Sequence, residues 1–410
     1  MPCPAFPRCA PLLPVLAALA CGSAGGDPAQ GTSSSGGPGD ASTTDDPVGT
    51  DDGPGTTAPA GTDDGSSTAD PPGSTGAADS TGDAPPVGVP VVVAVGDGGW
   101  LASSCDGGQS FTHVAFSDEI DDHSPWTAFA GLAHGGDAFV AGFGWGAPGH
   151  LLRSTDGRTW QDLGPESFLV DGVATPYDSW TAGVAHTGTQ FVAFASTRWG
   201  SVDGQTWTPT AIELPPGSDQ LRQLRGFPEA GLLFASLESQ SGNGHAVGNF
   251  VAVSEDEGLT WQEGQGYTPS CSDGIQHFGD AELRGDTLVV GSHDVCRSLD
   301  RGATWEFVGR PTDADIADLF ADDANFWAAS GSRIWRSDDG AAWTEVADLG
   351  VTLRVAASGE GVYAAAQERG TALFWSADGL TWSPSTLDWT PDGATWVRDM
   401  VVGVVPACPG

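Results

Sequence analysis

One short turn recurs seven times along this chain, and it limits the possible folds more than any other feature. Each copy runs Ser, any residue, Asp, a stretch containing Gly, and then Trp, with Phe replacing Trp in the first copy. The copies are Ser104–Phe111 (SCDGGQSF), Ser154–Trp160 (STDGRTW), Ser201–Trp207 (SVDGQTW), Ser254–Trp261 (SEDEGLTW), Ser298–Trp305 (SLDRGATW), Ser337–Trp343 (SDDGAAW) and Ser376–Trp382 (SADGLTW). Their aspartates are spaced 50, 47, 53, 44, 39 and 39 residues apart. That period is the length of one four-stranded blade. Between the turns, short apolar runs alternate with Gly-rich breaks, and no helical periodicity appears. The expected fold is therefore all-β, a seven-bladed β-propeller over residues 89–410.

The blade grammar is clearest in the third unit. Residues 180–185 read as inner strand A, 191–196 as B, 199–201 as C leading into the turn, and 206–208 as the start of outer strand D. The second unit matches it with 128–134, 139–143, 150–154 and 159–162. The first unit has B (91–96) and C (100–103) but no A, and a lone apolar strand remains at 396–405 (WVRDMVVGVV). We expect that strand to supply the missing A and close the ring, which leaves no sheet edge free. Beyond the N-terminal segment lie Cys105, Cys271, Cys296 and Cys408, and four cysteines allow three pairings. The blade arrangement brings Cys105 to Cys408 and Cys271 to Cys296. The first bridge closes a loop of roughly 300 residues, for which loop entropy gives a stabilisation of about 5 kcal/mol.

The N-terminus is of a different kind. Residues 1–21 read as an export signal, with Arg8 as the only charged side chain and an apolar run (PLLPVLAALA) too short to span a bilayer. Small residues before Cys21 resemble a bacterial lipobox, with Ala18 where Leu is usual. Cys21 is therefore the expected lipidation site. Residues 22–88 are Gly, Ser, Thr, Pro, Ala and Asp, with 11 Asp, no basic residue and no aromatic. Such a segment cannot bury enough apolar area to offset its ordering entropy. It reads as a disordered acidic tether with a reach of roughly 45 Å. No later stretch is long enough for a membrane helix, so contact with a membrane is expected only through the lipid.

The chain carries 54 acidic against 15 basic side chains, a formal charge of −39. Both the tether and the propeller share the excess, which disfavours nucleic acid and anionic lipid as partners. A cation, a basic protein or a neutral sugar fits better. The chain is expected to be a monomer at the cell envelope or outer surface of a bacterium, or secreted.

In the repeated turn, Ser and Asp side chains can bond backbone groups that leave the strand ladder, and Gly supplies a positive φ. The Trp then starts strand D and buries its ring. The pattern resembles the Asp-box, or bacterial neuraminidase repeat, of sialidases, sortilin-type receptors, xyloglucanases and a photosystem II assembly factor, and the resemblance covers about residues 89–410. It implies a structural role for Asp106, Asp156, Asp203, Asp256, Asp300, Asp339 and Asp378, on the face opposite the usual ligand site.

What the resemblance implies for catalysis fits less well. A sialidase needs three arginines, a Tyr–Glu nucleophile pair and an acidic proton donor, and the Arg-Ile-Pro motif is missing here. Tyr177, Tyr267 and Tyr363 are the available tyrosines, and Arg222, Arg225, Arg354 and Arg398 lie on inner strands, where an Arg can simply pair with Asp280, Asp318 or Asp399. A xyloglucanase-like glycosidase needs two carboxylates, for which Asp118, Glu119, Asp121, Asp122, Glu166, Asp280, Asp318 and Asp399 are candidates. The acidic segment 117–123 (SDEIDDH) offers oxygen ligands that suit calcium; otherwise no cofactor is expected. His134 and His186 hold equivalent blade positions and read as repeat features. A ligand face would be built from D–A and B–C loops carrying Tyr177, Tyr267, Trp145, Trp199, His123 and His245. Aromatics among carboxylates suit a sugar or a peptide, and packing between the loops is the competing explanation. The expected function is a non-enzymatic binding or assembly module for a glycan or a surface protein, with a glycoside hydrolase as the alternative.

Overall fold

Each of the seven turns joins the third and fourth strands of an antiparallel sheet. The structure, a computed structural model, describes residues 88–408 apart from 115–128, 144–148, 178–180, 182, 195–196, 217, 219, 241–245, 267–279, 311, 371 and 390–395. Six sheets take their strands A to D in chain order. They run from Phe129–Gly135 to Gln161–Asp162 (blade 2), Gly183–His186 to Thr208–Thr210 (blade 3), and Gln220–Phe227 to Gln262–Glu263 (blade 4). Blades 5, 6 and 7 run from Asp280–Arg284 to Glu306–Gly309, from Ile316–Ala321 to Thr344–Asp348, and from Leu353–Gly359 to Ser383–Pro384.

Blade 1 is closed by the C-terminal strand. Val397–Val405 pairs antiparallel with Val89–Gly96, from Val89 opposite Val405 to Gly96 opposite Val397. Leu101–Ser104 and Ser110–Val114 complete that sheet. The bridge between Cys105 and Cys408 joins its C–D turn to the end of its A strand, with Cα atoms 6.0 Å apart. Cys296 is also disulfide-bonded, and Cys271, its expected partner, lies outside the described residues.

The repeated turn has one hydrogen-bond scheme in all seven copies. The Ser hydroxyl donates to the Asp carboxylate at 2.8–3.1 Å. The same carboxylate accepts backbone N–H groups further along the turn, such as Thr159 at 2.6 Å and Thr304 at 2.7 Å. These bonds favour the ionised form strongly enough to outweigh partial burial, and they hold the Asp156 and Asp256 carboxyls below the usual range. In the seventh copy Gly379 has φ +70°, and a Cβ there would lie 2.6 Å from Trp327 on strand B of blade 6. The turn thus fits into the preceding blade, which demands Gly for close approach as well as for its dihedral.

A second inter-blade device was not legible in the sequence. Among the described residues, the segment after strand D runs parallel to the start of the next blade's D strand at four seams. The pairs are Phe168 with Trp207, Glu213 with Thr260, Gln265 with Thr304, and Thr386–Leu387 with Ser110–Phe111. At the blade 7–1 seam, Thr386 N–H donates to the Gln109 carbonyl at 2.9 Å. Such bonds cover outer edges that would otherwise offer a template for pairing. The core lies between blades. One cluster joins Val91, Val93 and Val95 of blade 1 to Leu132, Phe139 and Leu152 of blade 2.

Candidate functional site

The inner strands bring together charged side chains that the chain separates widely. One register position of strand A carries Asp280 in blade 5, Asp318 in blade 6 and Asp399 in blade 1, opposite Gly291, Ala329 and Val95 of the adjoining B strands. The equivalent residues are Gln223 in blade 4, Val355 in blade 7, and Gly131 and Gly183 in blades 2 and 3. Two residues further along the strand, blade 4 carries Arg225 and blade 5 carries Glu282.

Arg225 gathers the three aspartates. Its Nε donates to Asp280 Oδ1 at 2.5 Å and its Nη2 to Asp280 Oδ2. Nη2 also donates to Asp318 Oδ1 at 3.1 Å, and Nη1 lies 3.8 Å from Asp399 Oδ1. The remaining lone pairs of the carboxylates bond backbone. Asp318 Oδ2 accepts from Ala356 N–H of blade 7 at 2.7 Å, and Asp399 Oδ2 accepts from Leu132 N–H of blade 2 at 2.9 Å. The cluster therefore touches blades 4, 5, 6, 7, 1 and 2. The bidentate geometry with Asp280 is the one Arg favours for a desolvated carboxylate.

Burial and charge set the protonation states. Burial alone would depress the Arg225 guanidinium, but Asp280, Asp399 and Asp318 outweigh it and hold the group above its ordinary value. Burial raises Asp280, yet Arg225 more than compensates and keeps it low. Burial, and then the neighbouring Asp280 carboxyl to which it is hydrogen-bonded, push Asp318 well above the usual carboxylate range. Asp399 is raised because burial outweighs the attraction of Arg225. Glu282 is pushed up to about 8, chiefly by burial.

Beside this cluster, blades 4 and 5 flank an open cleft of about 500 Å³ on the face that carries the A–B turns. Phe227, Leu283 and Ala230 give it apolar walls, and Glu282, Glu229, Asp286 and Arg301 give it charge.

The residues expected on a ligand face divide. Tyr177 and Trp199 belong to the core, at 6% and 5% exposure. The Tyr177 hydroxyl is 3.0 Å from Thr181 Oγ1, and both rings pack on Phe168. Tyr177 sits on a loop, but Trp199, expected on a B–C loop, lies within strand C of blade 3 (Arg198–Ser201), paired with Ala193 and Pro209. Tyr267, Trp145, His123 and His245, and the acidic segment 117–123, lie outside the described residues. Tyr363 donates to Asp322 Oδ2 at 2.7 Å and so is paired with an aspartate across the blade 6–7 seam. Glu166 is exposed on a short turn. His134 and His186 pack against Phe139 and Phe191, with ring centroids 4.6 and 4.7 Å apart and planes inclined, in matching places. Sequence reasoning missed Glu282 and Glu229, whose spacing carries no motif. It also missed Trp396, which lies under Arg369 at 4.6 Å and Arg398 at 5.2 Å while Arg398 pairs with Asp97.

No protein-family model matches the chain, and no curated protein matches it. Among solved structures it is similar to YCF48 bound to D1 peptide, at 16% identity and TM-score 0.47 over 75% of this chain and 95% of that one. It is similar to virginiamycin B lyase from Staphylococcus aureus at 11% identity and TM-score 0.45, over 68% and 94%. It is also similar to a GH74 enzyme from Niastella koreensis at 16% identity and TM-score 0.40, over 72% of this chain and 44% of that one. The fold assignment rests on the chain's own sheet order, and by that order it is a seven-bladed β-propeller.

Proposed function

We propose that this protein is an exported propeller of the Asp-box type, lipid-anchored at Cys21 and held off the membrane by residues 22–88, that binds a glycan or a surface protein without chemically altering it. The observation that carries this reading is the state of the inner-strand carboxylates. Asp280 and Asp318 bond Arg225 of blade 4, and Asp318 and Asp399 accept backbone N–H groups of the next blade, so they act as struts between blades. A ring tied in this way is a rigid scaffold for its loops. Its acidity, a formal −39 for the chain, favours a basic or neutral partner over an anionic one.

Glycoside hydrolysis is the second reading, and Glu282 favours it. A carboxyl held protonated near neutrality, two residues from ionised Asp280 on one strand, has the protonation states of a general acid and its partner.

Two experiments test the proposal. Palmitate labelling in a bacterial host should mark the parent chain and not Cys21→Ser; equal labelling would remove the anchor. The full chain, immobilised with and without calcium, should retain a glycan or a purified envelope protein and release it with unchanged mass. A changed mass would replace the binding module with the hydrolase.

A further inference from the structure

The cleft between blades 4 and 5 has the features of a site for a positively charged group. It is formed by the A–B turn of blade 4, the A–B turn of blade 5 and Arg301 from the repeated turn of blade 5. Phe227 is 8% exposed and, with Leu283, offers the apolar wall that an alkyl stem would cover. Glu229 and Asp286 are exposed. A Cβ at Gly285 would meet no atom within 4 Å, so that part of the lining is open. Glu282 is deeper. One of its oxygens takes a hydrogen bond from the N–H of its own neighbour Leu283, at 3.3 Å.

The charges are unequal. Glu282, Glu229 and Asp286 line the space, against one guanidinium. Arg301 is already engaged, donating to the Ala230 carbonyl at 2.7 Å and lying 3.7 Å from Glu255. Among the described residues, the charges acting on Glu282 include Arg225, held by its three aspartates, and Asp280 on the same strand. An anion would meet three carboxyls, whereas a cation would find an acceptor that, among the described residues, no arginine pairs with.

We propose that this cleft binds an alkyl cation, an ammonium or guanidinium head on an apolar stem, with Glu282 as its counter-charge. The proposal names a ligand class for the binding module and rests on that reading. With the cleft empty, Glu282 holds its proton at neutral pH. An arriving ammonium takes the place of that proton: Glu282 loses H⁺ to solvent, and the carboxylate pairs with the cation. Binding at pH 7 therefore releases up to one proton per ligand. The shared chemistry fits a lysine side chain of a partner and a free polyamine alike.

The test is calorimetric titration of the full chain at pH 7, in two buffers of different ionisation enthalpy. The probes are N-acetyl-lysinamide, spermidine, n-pentylammonium and neutral n-pentanol. The three cations should saturate the protein and release protons, and n-pentanol should not. Tighter binding of the lysinamide would assign the site to a peptide side chain, and tighter binding of spermidine to a free polyamine. Glu282→Gln should weaken binding at least tenfold and abolish proton release. Asp286→Asn, at an exposed position that does not put folding at risk, should weaken it several-fold. Binding of n-pentanol as tight as that of pentylammonium, unchanged affinity in both variants, or no cation binding at millimolar concentration would each overturn the proposal. Such a failure would eliminate the cleft alone; the retention experiments above test partner binding anywhere on the ring.

Discussion

Replacing Arg225 with Met should weaken the ring in a way that depends on pH. The side chain makes a bidentate contact to Asp280, which is 1% exposed, and reaches Asp318 at 3.1 Å and Asp399 at 3.8 Å. Methionine fills similar space but leaves buried Asp280 without a counter-charge. Breaking one side of a buried ion pair costs about 3–5 kcal/mol. In the parent the folded-state pKa of Asp280 is lowered, so its contribution is present above the unfolded value near 3.8 and is lost as pH falls through the folded value. In Arg225→Met the same carboxyl becomes a buried acid without a partner, and its pKa rises. The deficit of the variant should therefore be about 3–5 kcal/mol at pH 7.5 and shrink toward pH 5, where Asp280 can take up a proton. Urea unfolding at both pH values measures this, with Arg225→Met/Asp280→Asn as the control expected to recover part of the loss at pH 7.5. A loss below about 1 kcal/mol, or an equal loss at both pH values, would refute the strut account.

Gly379→Ala should lower stability by about 2–3 kcal/mol, because it meets both a positive φ and a Cβ contact of 2.6 Å, whereas Gly285→Ala meets only the dihedral and should cost about 1 kcal/mol; urea midpoints compare them. Asp156→Ala removes bonds to Ser154 and to the N–H groups of Arg158 and Thr159 and should cost about 1–3 kcal/mol, measured the same way. Cys105→Ser opens the bridge to Cys408 across a separation of 303 residues, and loop entropy sets the loss at about 5 kcal/mol in urea unfolding. The pH profile should fall on both sides. His134 and His186 are lowered by burial, so their contribution is present above about 6.5 and is lost as pH falls through their folded values. Glu282 is raised from 4.5 to about 8, so its contribution is present below 4.5 and is lost as pH rises through 8; Glu282→Gln should flatten that alkaline limb in a thermal scan.

The ring was readable because its signals are local. A Ser–Asp–Gly–Trp turn satisfies its own backbone within a few residues, so seven copies announce seven blades whatever lies between them. The closing strand could be inferred from the absence of a first A strand. Boundaries were less legible: strand D of blade 3 begins at Thr208, two residues after its expected start, because Trp207 already pairs with Phe168 from the preceding blade. The inner-strand charge cluster was half legible. Arg225 and the three inner-strand aspartates were recognisable as a possible set, but which acid an arginine takes depends on the register of separate strands. Tyr177 and Trp199 show the opposite failure: Trp199 falls on strand C rather than on a loop, and both rings pack on Phe168. The Glu282 cleft left no trace in the sequence because its walls come from two A–B turns and a C–D turn that share no motif.

The measurement that tests the central claim most directly is turnover. The full chain, equimolar with a mixed glycan library and incubated for days with and without calcium, should leave every glycan at its starting mass while retaining some of them or a protein partner. A cleavage product that forms with the parent chain and disappears with Asp280→Asn or Glu282→Gln would contradict the account, and would make the inner-strand carboxyls catalytic groups.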